Sequence, residues 1–328
     1  MPSIHSKQKL LYLVSQAVFD CGWNILFLNH EHPYQVRIFD DKESYLVKII
    51  IYNISHGGGY KRSINEYRIQ VKVPIIELDK SYKTLILGYY DLLKVFAAWD
   101  ASKHHAPGYS ASFQIREANL IQASLTGFSP CNKGNGEIAV AFKPEFFVEY
   151  VRHLDTLHSF GQSSDDFSIL EETTKNEIIP NTELIQQVSI PRREVFQTVC
   201  KRQRDSRFSA KVLSAYNYRC AFSGIQLKLV DAAHILPVSE DESTDETCNG
   251  IALSALHHRA YDKGLITFND EYRVLINESE IYRLTELNLI GGLREFRKNL
   301  RPAIDLPPDD SNRPNKEFVR KANLLRGW

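Results

Sequence analysis

The chain has 328 residues, 43% hydrophobic and 24% charged, with 40 lysines and arginines against 40 aspartates and glutamates. That length suggests two domains and that composition a folded chain rather than a disordered one. No apolar run approaches the roughly 18 residues a membrane-spanning helix needs, and no secretory signal is read at the start. The five cysteines are widely spaced and never CxxC, which argues against a disulfide framework and a cysteine-rich zinc site and fits a reducing cytoplasm. A net charge of zero argues, on the average, against a nucleic-acid partner.

Taken in chain order, SKQKLLYLVSQAVFDCG has apolar residues at helical spacing. Tyr34 to Phe39 alternates, DDKE makes a turn and SYLVKIIIYNI continues, which predicts a β-hairpin. IQVKVPII, TLILGYYDL and EIAVAF are further strand candidates, and PEFFVEYVRHL a helix with Pro144 in its first turn. Residues 1–155 thus read as a mixed α/β domain. Residues 156–190 read as an acidic linker, with six acidic residues against Lys175 between Gly161 and Ile190, although SILEETTKNEII has the pattern of a short helix. The sign then reverses. Between Pro191 and Cys220 eight basic residues face two acidic ones, in a stretch that reads as helical with Phe196, Val199, Phe208, Val212 and Leu213 on its buried side. Such a run is either a solvated helix face or a phosphate-facing patch, with Arg202, Arg204, Arg207 and Lys211 as its contacts.

The core of the 191–328 domain is the stretch 218–266. LKLVDAAHILP reads as a strand, in which Asp231 and Ala233 share one face and His234 takes the other. SEDESTDETCNG is a polar loop, and IALSALHHRAYDKG reads as a short helix ended by Gly264. His258 and Asp262 are four apart, so on a helix they project from one side and can hold one divalent cation.

With DAAHILP, CNGIAL and LHHRAYDKGL in that order, the segment resembles the HNH (ββα-metal) endonucleases of restriction type. The resemblance implies two strands, a loop and a helix around one metal ion. It implies His234 as the general base, Asn249 as the loop brace, His258 as a metal ligand and Asp262 as a second one. Asp231 is a third candidate, because the usual ligand position before the first histidine is Ala233. His257 stands where zinc-binding members have a cysteine, as a second ligand or as a packing or supporting residue. Only Cys220 survives from the zinc pairs, so structural zinc is not expected. One Mg²⁺ (or Mn²⁺) per site is the implied cofactor.

The expected fold class is therefore α+β, a mixed α/β DNA-recognition domain followed by a C-terminal ββα-metal nuclease domain. The segment Ile51 to Gln70 offers Arg62, Arg68 and Gln70, shaped to read guanine and adenine edges, or else a plain hairpin with salt bridges. AAWDASKHHAPGYSASFQIRE offers Trp99, Lys103, His104, His105, Tyr109, Gln114 and Arg116, as a base-stacking cluster or as core residues with a polar rim. The implied activity is restriction-type cleavage of double-stranded DNA by a homodimer, with no membrane partner. The alternatives are a modification-dependent (methylated-DNA) nuclease and a non-cleaving nucleic-acid-binding protein with an HNH fold.

Overall fold

The computed structural model describes residues 4–57, 65–73, 75–104, 111–174 and 188–328. It divides into two compact units, 1–203 and 204–328. The boundary falls inside one long helix, Ile190–Ala215.

The first unit is built on a seven-stranded sheet. Its strands are β1 (Asn24–Asn29), β2 (Tyr34–Phe39), β3 (Ser44–Asn53), β6 (Lys83–Tyr90), β7 (Val95–Trp99), β9 (Phe128–Asn132) and β10 (Ile138–Phe142), in the order β1-β2-β3-β6-β7-β10-β9. All neighbours are antiparallel except β3 and β6. A second, three-stranded sheet joins β4 (Ser55–His56), β5 (Glu66–Val71) and β8 (Ala111–Arg116).

The central strands read as unbroken apolar runs because both of their faces are covered. On one face Ile49, Leu85, Leu87, Phe96, Ile138, Val140 and Phe142 meet α1 (Lys7–Asp20), α3 (Phe147–Arg152), α4 (Leu154–Ser159) and α5 (Ser164–Glu172). On the other, Ile50, Ile86, Ala97, Trp99, Ala139 and Ala141 meet β5, β8 and α2 (Glu117–Thr126). Gly88 belongs to this second face. A Cβ there would lie 2.5 Å from Ile54 Cγ1 and 2.7 Å from Ile69 Cγ2, so the residue at 88 must be bare for the small sheet to close on the large one.

The first helix, the hairpin and the strands read at TLILGYYDL and EIAVAF are present, with α1 capped by the Ser6 hydroxyl accepting from Lys9 N; of IQVKVPII only Ile69 to Val71 is strand, at the end of β5, and Lys72 and Val73 leave it. The stretch read as an acidic linker differs. Its described part is helical and packs Leu157, Phe160, Phe167 and Leu170 into the first unit's core, while the acidic residues take the outer side. Residues 175–187 of that stretch, with most of SILEETTKNEII after α5, lie outside the described residues. A net-charge count sees the outer side alone; the apolar residues at helical spacing carry the packing.

The second unit opens with the C-terminal part of α6 (Ile190–Ala215) and contains the antiparallel pair β11 (Val230–His234) and β12 (Gly250–Ser254), followed by α7 (Ala255–Asp262). IALS, read as the start of the helix, is instead strand β12; its four residues are wholly buried, which suits a covered strand better than a half-exposed helix. The pair β13 (Ile266–Phe268) and β14 (Val274–Ile276) and helices α8 (Glu278–Glu286), α9 (Leu293–Asn299) and α10 (Lys316–Leu325) complete it. Phe222, Tyr261 and Phe268 form the middle of its core, and Val319 and Ala322 of α10 close it.

Among the described residues no helix is long and apolar enough to cross a membrane. The Gly88→Ala substitution overpacks the interface between the two sheets and is expected to destabilise the chain by about 1–3 kcal/mol, read as a lower midpoint in urea unfolding.

Candidate active site

The site is set by the pairing of β11 with β12, which places His234 directly opposite Gly250. A Cβ at 250 would lie 2.2 Å from Val212 Cγ2 and 3.1 Å from Phe208 Cζ. The glycine therefore lets α6 lie close against the strand pair, and Phe208 stacks on the His234 imidazole with centroids 3.7 Å apart and planes 8° from parallel.

His234 keeps 17% of its side chain exposed, and its Nε2 lies 2.9 Å from Asp245 Oδ1. A carboxylate only accepts, so Nε2 carries the hydrogen and Nδ1 is left with a lone pair. The other Asp245 oxygen, Oδ2, lies 3.2 Å from Arg204 Nε. Arg204, His234 and Asp245 come from a helix, a strand and a loop and meet through one carboxylate.

Asn249, with no exposed surface, ties that loop at both ends. Its Oδ1 accepts from Leu236 N at 2.9 Å, and its Nδ2 donates toward Thr244 O at 2.9 Å, Ser243 Oγ at 3.1 Å and Leu236 O at 3.3 Å. Its own carbonyl accepts from Ile235 N at 2.8 Å. Arg326, from the end of α10, donates to the Ile235 carbonyl at 3.1 Å and to Tyr261 Oη at 3.2 Å, with its guanidinium 4.3 Å from the Tyr261 ring centre. Burial raises the Tyr261 phenol to about 12 even with Arg326 drawing it the other way.

On α7, His258 Nε2 and Asp262 Oδ2 are 3.6 Å apart, with 30% and 60% of their side chains exposed. Asp231 is exposed on β11 opposite Leu253. Among the described residues no three histidine, cysteine or acidic side chains are grouped to hold a metal ion, so Asp231 is not gathered with His258 and Asp262. His257 turns inward. It is buried, with Nδ1 2.8 Å from Ser254 Oγ and 3.4 Å from Cys220 Sγ, and packs near Phe222 and Phe296. Burial pushes the Cys220 thiol up, but hydrogen bonds with His257 and Ser223 outweigh it and bring the group down to about 6. His257 is thus placed for support from within, buried where the His258–Asp262 pair is solvent-accessible.

The sequence-predicted DNA contacts are dispersed. Arg204 is occupied by Asp245, and Arg202 donates its Nε–H to the Glu145 carbonyl at 2.9 Å. Lys211 is exposed, beside Ser214, Thr247, Cys248 and Asn312, and Arg207 is half-buried. Arg62, His105 and Tyr109 lie outside the described residues. Lys103 donates to the Gly136 carbonyl, His104 Nε2 lies 2.7 Å from the buried Glu137, and Trp99 is a core residue whose Nε1–H donates to Gln114 O at 3.0 Å. Arg68, Gln70, Gln114 and Arg116, which the sequence scatters over two segments, share the outer face of the small sheet. Arg68 stands opposite Gln114, Gln70 opposite Ser112 and Arg116 opposite Glu66, while Ile69, Val71, Phe113 and Ile115 point into the core.

Asp245, Phe208, Gly250 and Arg326 were not singled out by the sequence. Asp245 is one acid among five in a polar loop and carries no local signal; Phe208 was legible as a buried helix position but not as a cover for His234.

Residues 220–269 match the HNH endonuclease family model. Residues 46–151 match the family model described as methylase-associated X1. No curated protein matches the sequence. Among solved structures, a modification-dependent TagI restriction endonuclease aligns over 86% of this chain and 81% of its own, at 10% identity and a TM-score of 0.29. The chain carries an HNH endonuclease domain at 220–269 and is a nuclease of the α+β class.

Asn249→Ala leaves Leu236 N and the loop carbonyls without their buried partner. It is expected to cost about 1–3 kcal/mol and to make the loop between Leu236 and Asn249 a site of early proteolytic nicking, checked by urea unfolding and by limited proteolysis mapped with mass spectrometry.

Proposed function

We propose that the chain is a restriction-type DNA endonuclease that hydrolyses phosphodiester bonds in duplex DNA, with the first unit choosing the site. The observation that carries this reading is the disposition of His234: one ring nitrogen fixed by Asp245, the other free to take a proton, at the edge of a loop locked by Asn249. An imidazole held this way suits a general base near neutral pH. His234 Nδ1 takes a proton from the attacking water, the new oxygen–phosphorus bond forms and the bond to the 3′ oxygen breaks. Asn249 keeps the base in register with the strand.

HNH nucleases work with a divalent ion. The His258–Asp262 pair fits one: a nitrogen and an oxygen donor, both solvent-accessible and on one side of α7. When bound, Mg²⁺ or Mn²⁺ supplies charge stabilisation at the scissile phosphate. Lys211 and Arg207 on α6 and the Arg68–Gln70–Gln114–Arg116 face of the small sheet are the proposed DNA contacts, the first pair to phosphate and the second set to base edges. One such site cuts one strand, so a double-strand break calls for a homodimer. The widely spaced cysteines, with no CxxC pair among them, support work in the reducing cytoplasm.

A second reading is favoured by the match of 46–151 to a methylase-associated family: a nuclease whose cutting depends on modified bases. Plasmid and genomic DNA, methylated and unmethylated, incubated with the purified chain in Mg²⁺ or Mn²⁺ separates the two. Cleavage of methylated DNA alone selects the second reading. Cleavage of neither, with tight binding, rejects both in favour of a non-cleaving DNA-binding protein.

His234→Ala is expected to lower the cleavage rate by roughly 10²–10⁴-fold without loss of DNA affinity, measured by single-turnover assay and by filter binding. Lys211→Ala is expected to reduce the slope of log affinity against log salt by about 1, whereas Arg202→Ala leaves it unchanged because that guanidinium is held by the Glu145 carbonyl.

A further inference from the structure

The acidic loop between the two motif strands contains five acidic residues, and only Asp245 among them meets the base histidine. Its two oxygens are divided. Oδ1 holds His234 Nε2 at 2.9 Å, and Oδ2 meets Arg204 Nε at 3.2 Å. Phe208, one helical turn beyond Arg204, lies flat on the imidazole. The ring is thereby fixed in three ways: its backbone by pairing with Gly250, its plane by Phe208 and its rotation within that plane by Asp245.

We propose that Asp245 and Arg204 are positioning residues for cleavage, Asp245 fixing which nitrogen of His234 faces the water and Arg204 fixing where the Asp245 carboxylate points. The inference rests on the nuclease reading above and deepens it. It assigns Arg204, which the charge pattern marks as a phosphate contact, a task inside the protein. A general base loses rate steeply when its lone pair is turned away, because proton transfer requires hydrogen-bond geometry. An imidazole free to rotate about its Cβ–Cγ bond presents either edge; a carboxylate on Nε2 selects one.

Two measurements on the full chain test this. The first is independent of activity. In ¹⁵N-labelled protein at pH 8, the wild type is expected to show a downfield His234 Nε2–H resonance protected from exchange, lost in Asp245→Ala and retained in Asp245→Glu. A wild type without that resonance, or its persistence in Asp245→Ala, overturns the proposal whatever the substrate is.

The second uses whichever DNA the wild type cuts, under single-turnover conditions. Asp245→Ala is expected to lower the maximal rate by roughly 10–100-fold with half-saturating DNA unchanged within about twofold, and Asp245→Glu to recover part of the loss. Arg204→Ala is expected to lower the rate by a smaller factor, and the double variant to be no slower than Asp245→Ala alone, because Arg204 acts through Asp245. An unchanged rate in Asp245→Ala overturns the proposal, and so do multiplicative effects of the two substitutions. Failure of the wild type to cut any DNA rejects the nuclease reading while leaving the resonance measurement in force.

Discussion

Helix α6 reaches the strand pair of the second unit at the one residue that has no side chain. With any Cβ at position 250, Val212 and Phe208 would be forced away from β12. The consequences run through the site. Because Phe208 lies close, the imidazole of His234 has an apolar ring for one face and cannot tilt. Because the helix lies close, Arg204 is within reach of a loop that departs from the end of β11. Glycine at this position is a requirement of approach and not of backbone torsion, for its φ is the −116° of an ordinary extended residue.

The electrostatics of the second unit follow a similar local logic. The chain is neutral overall, and its basic helix and acidic loop would cancel in any long-range view. In the structure they cancel by contact: Arg204 with Asp245, and Lys321 with Glu242. The loop is thus tied down by the positive groups around it as well as by Asn249 from beneath. Exposed ion pairs of this kind contribute little to stability singly, while Asn249, buried and bonded to three loop residues, contributes more. The ion pairs aim the side chains, and the amide holds the loop.

Much of this was legible in the sequence. The order DAAHILP, CNGIAL, LHHRAYDKGL implies the ββα arrangement through its resemblance to the HNH endonucleases, although IALS by itself reads as helix, and the strands of the first unit stand out as apolar runs. The His258–Asp262 pair is a matter of helical spacing alone. The rest depends on distances across the chain. Asp245 is indistinguishable from Asp241 or Glu246 until the loop is folded, and Gly250 reads as the end of a turn until its neighbours are known. The likeness of the 156–174 stretch to a linker came from its surface charge, because a helix that buries one side and exposes acids on the other has the same net charge as a solvated connector. Arg68 and Gln114 lie 46 positions apart and became neighbours through strand pairing that no local pattern specifies.

Strand β10 of the large sheet distributes side-chain size unequally between its faces. Ile138, Val140 and Phe142 stand on the face covered by α1 and α3 to α5, whereas Ala139 and Ala141 stand on the other face. Successive residues of one strand therefore belong to different regimes of mutational failure. Truncation at Phe142 opens a void that the helices cannot fill, whereas truncation at Ala141 removes almost nothing. Enlargement reverses the order, because the side of β10 that carries Ala139 and Ala141 is fully buried and has no spare volume. Reading along β10, tolerance to smaller and to larger residues alternates with a period of two, so the sheet imposes on its own sequence a parity rule for which substitutions survive.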